Sequence, residues 1–175
     1  MLFSKKAPQN ISAPVAKILN LGGDEYSEII KFDIGFLTRL FGEVRHLEWS
    51  VPGCDVLFPY AQLTVDGAIQ DSSRGLREIV RDSGAKIVVV ASPNPSGHYI
   101  KAGKQQPYGR ANLVMILDRR GEVFSRFFVE LFSKMLRGYS MPAAWSEISP
   151  QIPGGQRPGC PEAIFACEIG AVTFR

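Results

Sequence analysis

The chain is predicted to be α/β: a three-layer sandwich around a mostly parallel sheet of five or six strands. Three observations predict this. Apolar runs such as Lys86–Ala91, "KIVVVA", lack the polar alternation of a one-faced strand, as strands buried on both faces do. Segments with apolar residues at helical spacing lie between those runs. The two kinds of segment alternate along the chain, the pattern of helices layered on a sheet. A length of 175 residues suits one domain with a full core. A hydrophobic fraction of 45% and a charged fraction of 21% are globular values.

Residues 1–12 are expected to be a loose polar leader, and residues 13–175 a single α/β domain. "PVAKILNLG" (14–22) is a strand closed by Gly22-Gly23. The segment 24–42 is helical, with Ile29, Ile30, Phe36, Leu37 and Leu40 in its apolar stripe, Asp24 as cap and Gly42 as stop. "EVRHLEWS" (43–50) alternates as a short, half-exposed strand. "CDVLFPYAQLTV" (54–65) is a strand that Pro59 is expected to end near Phe58 or to confine to a sheet edge, since proline donates no ladder bond. Residues 71–84 form a short helix, capped within Asp71–Ser73 and stopped by Gly84. The strand at 85–92 then opens into a long loop, 93–110, rich in proline and glycine. Residues 111–121 give a further apolar strand. Residues 122–138 give a helix with Phe124, Phe127, Phe128, Leu131, Phe132 and Met135 on one face. A second helix follows over 140–149, with Ser140 at its cap and Pro142 in its first turn. Residues 150–161 are irregular, and 162–174 close the chain as one strand, or as two with a turn at Gly170.

Charge and composition exclude several classes. A net charge of +3, with scattered basic residues, gives no nucleic-acid surface. No apolar run reaches the ~20 residues of a membrane span. The three cysteines (Cys54, Cys160 and Cys167) include no C-x-x-C pair, and the N-terminus has no apolar signal core, so a reducing, cytoplasmic setting is expected. Two histidines without a cysteine pair make a metal site unexpected. The glycine-rich signatures of nucleotide cofactors are absent, and no cofactor is expected.

Ligands of open α/β sheets gather at the carboxyl ends of strands. Those ends hold Gly22-Gly23-Asp24, Tyr60-Ala61-Gln62 and Ser92 to His98. The first is a turn and helix cap, because Asp24 and Glu25 would repel phosphate. Tyr60, Gln62, Ser92, Asn94 and His98 are the candidate cleft residues. A hydrolase using Ser92 or Cys54 with His98 is one possible use of them, although G-x-S-x-G is missing. A self-associating module, through "HLEWS" or the helix around Phe127, is another. "DRRGE" (118–122) is taken as a solvated turn and cap.

The segment 111–151 resembles the last third of CHAT domains, relatives of the caspase-like peptidases. The features that carry this are the apolar run Leu113–Leu117, the helix Phe124–Leu136 closed by Gly138, and the pair Ala143-Ala144. "CPEAIFACEIG" is similar to that family's final strand, and "REIVRDSGAKIVVVASPNPSG" to the helix and strand that carry its cysteine. The resemblance spans about residues 55–172, and a generic Rossmann-like domain would show a similar pattern. It implies a histidine just past the strand at 56–61 and a cysteine just past the next strand. Gln62 and Leu63 stand in the first place and Pro93 in the second. The implied protein is therefore a pseudo-peptidase, which keeps a cleft for a protein or peptide partner and has lost the chemistry.

Overall fold

The computed structural model describes residues 7–48, 50, 53–104, 109–119, 121–149 and 161–175. Its six-stranded sheet is built from β2 (Ala16–Asn20), β3 (Arg45–Glu48), β4 (Val56–Tyr60), β5 (Ile87–Val90), β6 (Asn112–Asp118) and β7 (Glu162–Ala166). Their order is β3-β2-β4-β5-β6-β7, parallel throughout except for β7, which runs antiparallel to β6. The helices are α1 (Ser27–Phe41), α2 (Leu76–Ser83), α3 (Ser96–Lys104), α4 (Val123–Leu136) and α5 (Met141–Ile148). The α/β sandwich read from the sequence is the fold of the chain.

Alternation along the strands sorts the core into two layers. Ile18, Phe58, Val89 and Val114 meet α1, α4 and α5 on one face. Leu19, Leu57, Val88 and Leu113 meet α2 and α3 on the other. The period of two in a strand sends successive side chains to opposite faces, so a sheet covered twice needs apolar residues at nearly every position.

Several boundaries depart from expectation. Pro59 lies inside β4, which is a central strand between β2 and β5. The Pro59 carbonyl accepts from the Ala91 N–H at 2.9 Å, so the ring nitrogen also faces β5. The paired register with β5 has already ended at Leu57–Val88, and the missing donor falls where the two strands part. The β2 side of the ladder is unaffected and continues to Asn20–Tyr60.

The predicted loop at 93–110 contains α3. Two glycines in "SGHYIKAGK" weaken its helical propensity, but tertiary packing overrides that. Tyr99 and Ala102 are buried in the α2/α3 layer, and Gly67 packs so closely that an added Cβ would lie 2.2 Å from the Ala102 nitrogen. The leader is not wholly loose either. Within it β1 (Gln9–Ile11) pairs in parallel with β8 (Val172–Phe174), so the closing segment is two strands, β7 and β8. The cap of α2 is Gly75, whose N–H donates to Glu78 Oε2 at 2.9 Å, and not Asp71–Ser73. Gly84 ends α2 with φ of 65°, a left-handed turn that glycine adopts without strain. A short 3-10 turn, Gly23–Tyr26, precedes α1 where Asp24 was expected to cap it. Of the segment 150–161 that was expected to be irregular, residues 150–160, including Cys160, lie outside the described residues, as does Trp49.

Candidate functional site

The site is set by the parting of β4 and β5 after Pro59. Beyond that point side chains take over from the backbone ladder. Ser92 Oγ accepts from the Ala61 N–H at 2.8 Å and donates to the Ala61 carbonyl at 2.7 Å. Asn94 Oδ1 accepts from the Leu63 N–H at 2.7 Å, and its Nδ2 reaches the Ala61 carbonyl at 3.0 Å. The Tyr99 hydroxyl accepts from Asn94 Nδ2 at 3.3 Å and lies 3.0 Å from the Ile116 carbonyl, its acceptor. Burial pushes the Tyr99 phenol well up, so it stays protonated as that donor. These groups satisfy one another within a buried knot, as buried polar groups must.

His98 stands on α3 at the rim. Its Nδ1 lies 2.8 Å from the Leu63 carbonyl, which only accepts, so Nδ1 donates there and Nε2 is the ring nitrogen left for another partner. Gln62 is half-buried, and its Oε1 accepts from the Tyr26 hydroxyl at 3.2 Å. The turn before Tyr26 is closed by Asn20, which donates to the Gly23 carbonyl at 2.8 Å and accepts from the Gly22 N–H at 3.1 Å.

Beneath this rim, on the α1/α4 side, lies a buried ionic cluster, and it includes a residue of the turn expected to be solvated. Arg119, in "DRRGE", has a side chain only 5% exposed. Its Nη2 donates to both oxygens of Asp33 at 2.5 and 2.6 Å, and its Nη1 to the Ala91 carbonyl at 3.0 Å. The guanidinium stacks 3.7 Å above the Phe124 ring. Tyr60 donates its hydroxyl to Asp33 Oδ2. Burial lifts the Asp33 carboxyl above its usual value, while the Arg119 charge and the two donors pull it back. Burial and the adjacent Asp33 charge hold the Tyr60 phenol well above its ordinary value. One signal was available in the sequence: Asp33 falls four residues after Ile29 and three before Phe36, a charge inside an apolar stripe. Such a residue is buried only with a partner, but the stripe does not say that the partner is Arg119.

The five candidate residues therefore converge on the carboxyl ends of β4 and β5, but they differ in access. Tyr60, Ser92 and Asn94 are buried and bonded inward, whereas Gln62 and His98 reach the surface. No nucleophile–base pair is assembled from Ser92 and His98, because the Ser92 proton goes to a carbonyl and His98 is turned to Leu63. Cys54 precedes β4, at the opposite end of that strand from His98, a separation on the order of 20 Å at ~3.3 Å per residue. Burial pushes its thiol up to about 12, far from a reactive thiolate. An open groove of about 530 Å³ lies at this amino end of the sheet, against Pro14, Val15, Leu40, Phe41 and Leu136. None of the five candidate residues lines it.

Among the described residues, no group of three or more His, Cys, Asp or Glu is placed to hold a metal ion. None of the described helices is long and apolar enough to cross a membrane. No protein-family model, curated protein or solved structure matches this chain.

Proposed function

We propose that the chain is a non-catalytic, caspase-like (CHAT-like) domain that binds a protein or peptide partner at the carboxyl rim of β4 and β5. The observation that carries this is the adjacency of two loops. The positions where the resemblance requires a histidine and a cysteine follow neighbouring strands and are bonded to one another through Ala61, Leu63, Ser92 and Asn94. A dyad would need that adjacency, yet the positions hold Gln62 and Leu63 on one loop and Pro93 on the other. Glutamine and leucine cannot serve as the imidazole base, and proline cannot serve as the thiolate. Pro93 and Pro95 are exposed, and His98 Nε2 and the Gln62 amide add polar groups to the same rim. Two exposed prolines edged by a few hydrogen-bonding groups suit a peptide ligand.

The test has two arms. The purified protein is incubated with a panel of peptide substrates, and release of cleaved product is measured. No turnover is expected; turnover lost on Cys54→Ala or His98→Ala overturns the non-catalytic reading. In the second arm a displayed random-peptide library is selected on the protein. Enriched peptides should lose binding on Pro93→Arg, and a library that never enriches removes the support for peptide recognition.

A further inference from the structure

The six-stranded sheet ends at β3, whose only strand partner among the described residues is β2. The outer edge of β3 therefore offers backbone groups that no described strand pairs. Proteins usually protect such an edge or use it for pairing. Arg45, His46 and Glu48 are exposed and Leu47 is half-buried. Arg45 bonds Glu43 at 2.8 Å, while His46 and Glu48 make no salt bridge among the described residues.

We propose that β3 pairs antiparallel with β3 of a second copy of this chain, joining two six-stranded sheets across a two-fold axis. This goes beyond the peptide-binding reading and does not depend on it. Symmetry restricts the register. A two-fold axis that joins two sheet edges stands perpendicular to the sheet, so each face of one copy continues into the same face of the other. Residues directly opposite share a face, and positions that share a face differ by an even number. Within β3, two registers keep three pairs. Centring on His46 sets His46 against its own copy and the Arg45 cation against Leu47, which matches nothing. Centring on Leu47 sets Leu47 against Leu47 at the axis and His46 against Glu48 on both sides. That register gives one apolar contact flanked by two hydrogen-bonding pairs, each an imidazole facing a carboxylate. The interface is isologous, as a closed dimer requires. The segment is short, so the dimer is a weak one that assembles at high concentration.

The experiment is sedimentation equilibrium across a concentration series, with circular dichroism to confirm that each variant is folded. The wild-type chain should move from monomer to dimer as concentration rises. Glu48→Lys and His46→Glu should each raise the dimer dissociation constant about tenfold or more, since each sets like or mismatched charges opposite one another. The combined variant, His46→Glu with Glu48→Lys, places a carboxylate opposite an ammonium and should dimerise at least as well as the wild type. A wild-type monomer at every concentration overturns the proposal. So does a dimer that survives both single substitutions, because its interface then lies elsewhere, and so does a combined variant no better than the single ones. Peptide binding at Pro93 is read separately, so loss of the dimer leaves that reading standing.

Discussion

The two faces of the sheet are buried to a similar degree but built differently. The α1/α4/α5 face is aromatic: Phe58, Phe124, Phe128 and Phe132 lie with ring centroids 4.7 to 6.3 Å apart, Phe58 edge to face against Phe128 and Phe132, and Phe128 stacked on Phe132. The α2/α3 face is mainly aliphatic, with Leu57, Leu76, Ile79, Val80, Val88 and Val90 at its centre. Their polar contents differ in the same way. The aromatic face encloses a charged cluster, Asp33 with Arg119 and Tyr60, and the aliphatic face a neutral knot of Ser92, Asn94 and Tyr99. The flat guanidinium can stack on Phe124, so an aromatic layer accommodates a buried cation that an aliphatic layer would not. The neutral knot needs no counter-charge and only has to match donors to acceptors. The charged cluster ties α1 to the end of β6, and the neutral knot ties the loop after β4 to the loop after β5.

Three measurements sharpen that contrast, the largest effect first. Arg119→Met leaves the Asp33 carboxylate buried without its partner and should cost about 3–5 kcal/mol in denaturant unfolding. The pair Asp33→Leu with Arg119→Met should recover much of that loss, because no buried charge then remains. If Arg119→Met unfolds like the wild type, the cluster is not the anchor described. Asn94→Ala should cost less, about 1–3 kcal/mol, since it strands the neutral N–H of Leu63. Hydrogen exchange at the Leu63 amide should accelerate in that variant while the amides of β2 stay protected; uniform acceleration would mean the knot has no local role. The smallest effect is on reactivity. With its thiol pushed up to about 12 from 9.0, Cys54 should hold on the order of a thousandfold less thiolate at pH 8 in the folded protein than in denaturant, and should alkylate correspondingly more slowly. The sign follows from burial: raising the value removes thiolate at pH 8, and unfolding restores it. Equal rates in the two states would show that the thiol is not held in the core.

The comparison also explains which parts were legible beforehand. The aromatic layer could be read directly, because the phenylalanines of α4 repeat at helical spacing and identify a face before any fold is known. The strands β5 and β6 were legible from their unbroken apolar runs. Helix α3 was not, since Gly97 and Gly103 weaken it locally and only the packing of Tyr99 and Ala102 stabilises it. The site divides similarly. Proximity of the Ser92–His98 stretch to Tyr60-Ala61-Gln62 followed from the rule that ligand loops lie at carboxyl ends. That Ser92 and Asn94 turn inward did not, because the direction of a side chain after a strand depends on where its neighbour parts from it.

The sequence by itself determined the α/β class and the identity of most core residues. It also determined the absence of histidine at Gln62 and Leu63 and of cysteine at Pro93. Periodicity and residue chemistry are local properties, carried by a few consecutive positions. Tertiary structure decided that Pro59 sits in a central strand, that Arg119 is buried against Asp33, and that the leader strand β1 finds β8 at the far end of the chain. Each of these pairs residues distant in sequence, 86 positions apart for Asp33 and Arg119. A proline, a charge or a polar leader has no fixed location until the partner that satisfies it, or the gap that excuses it, has been brought alongside.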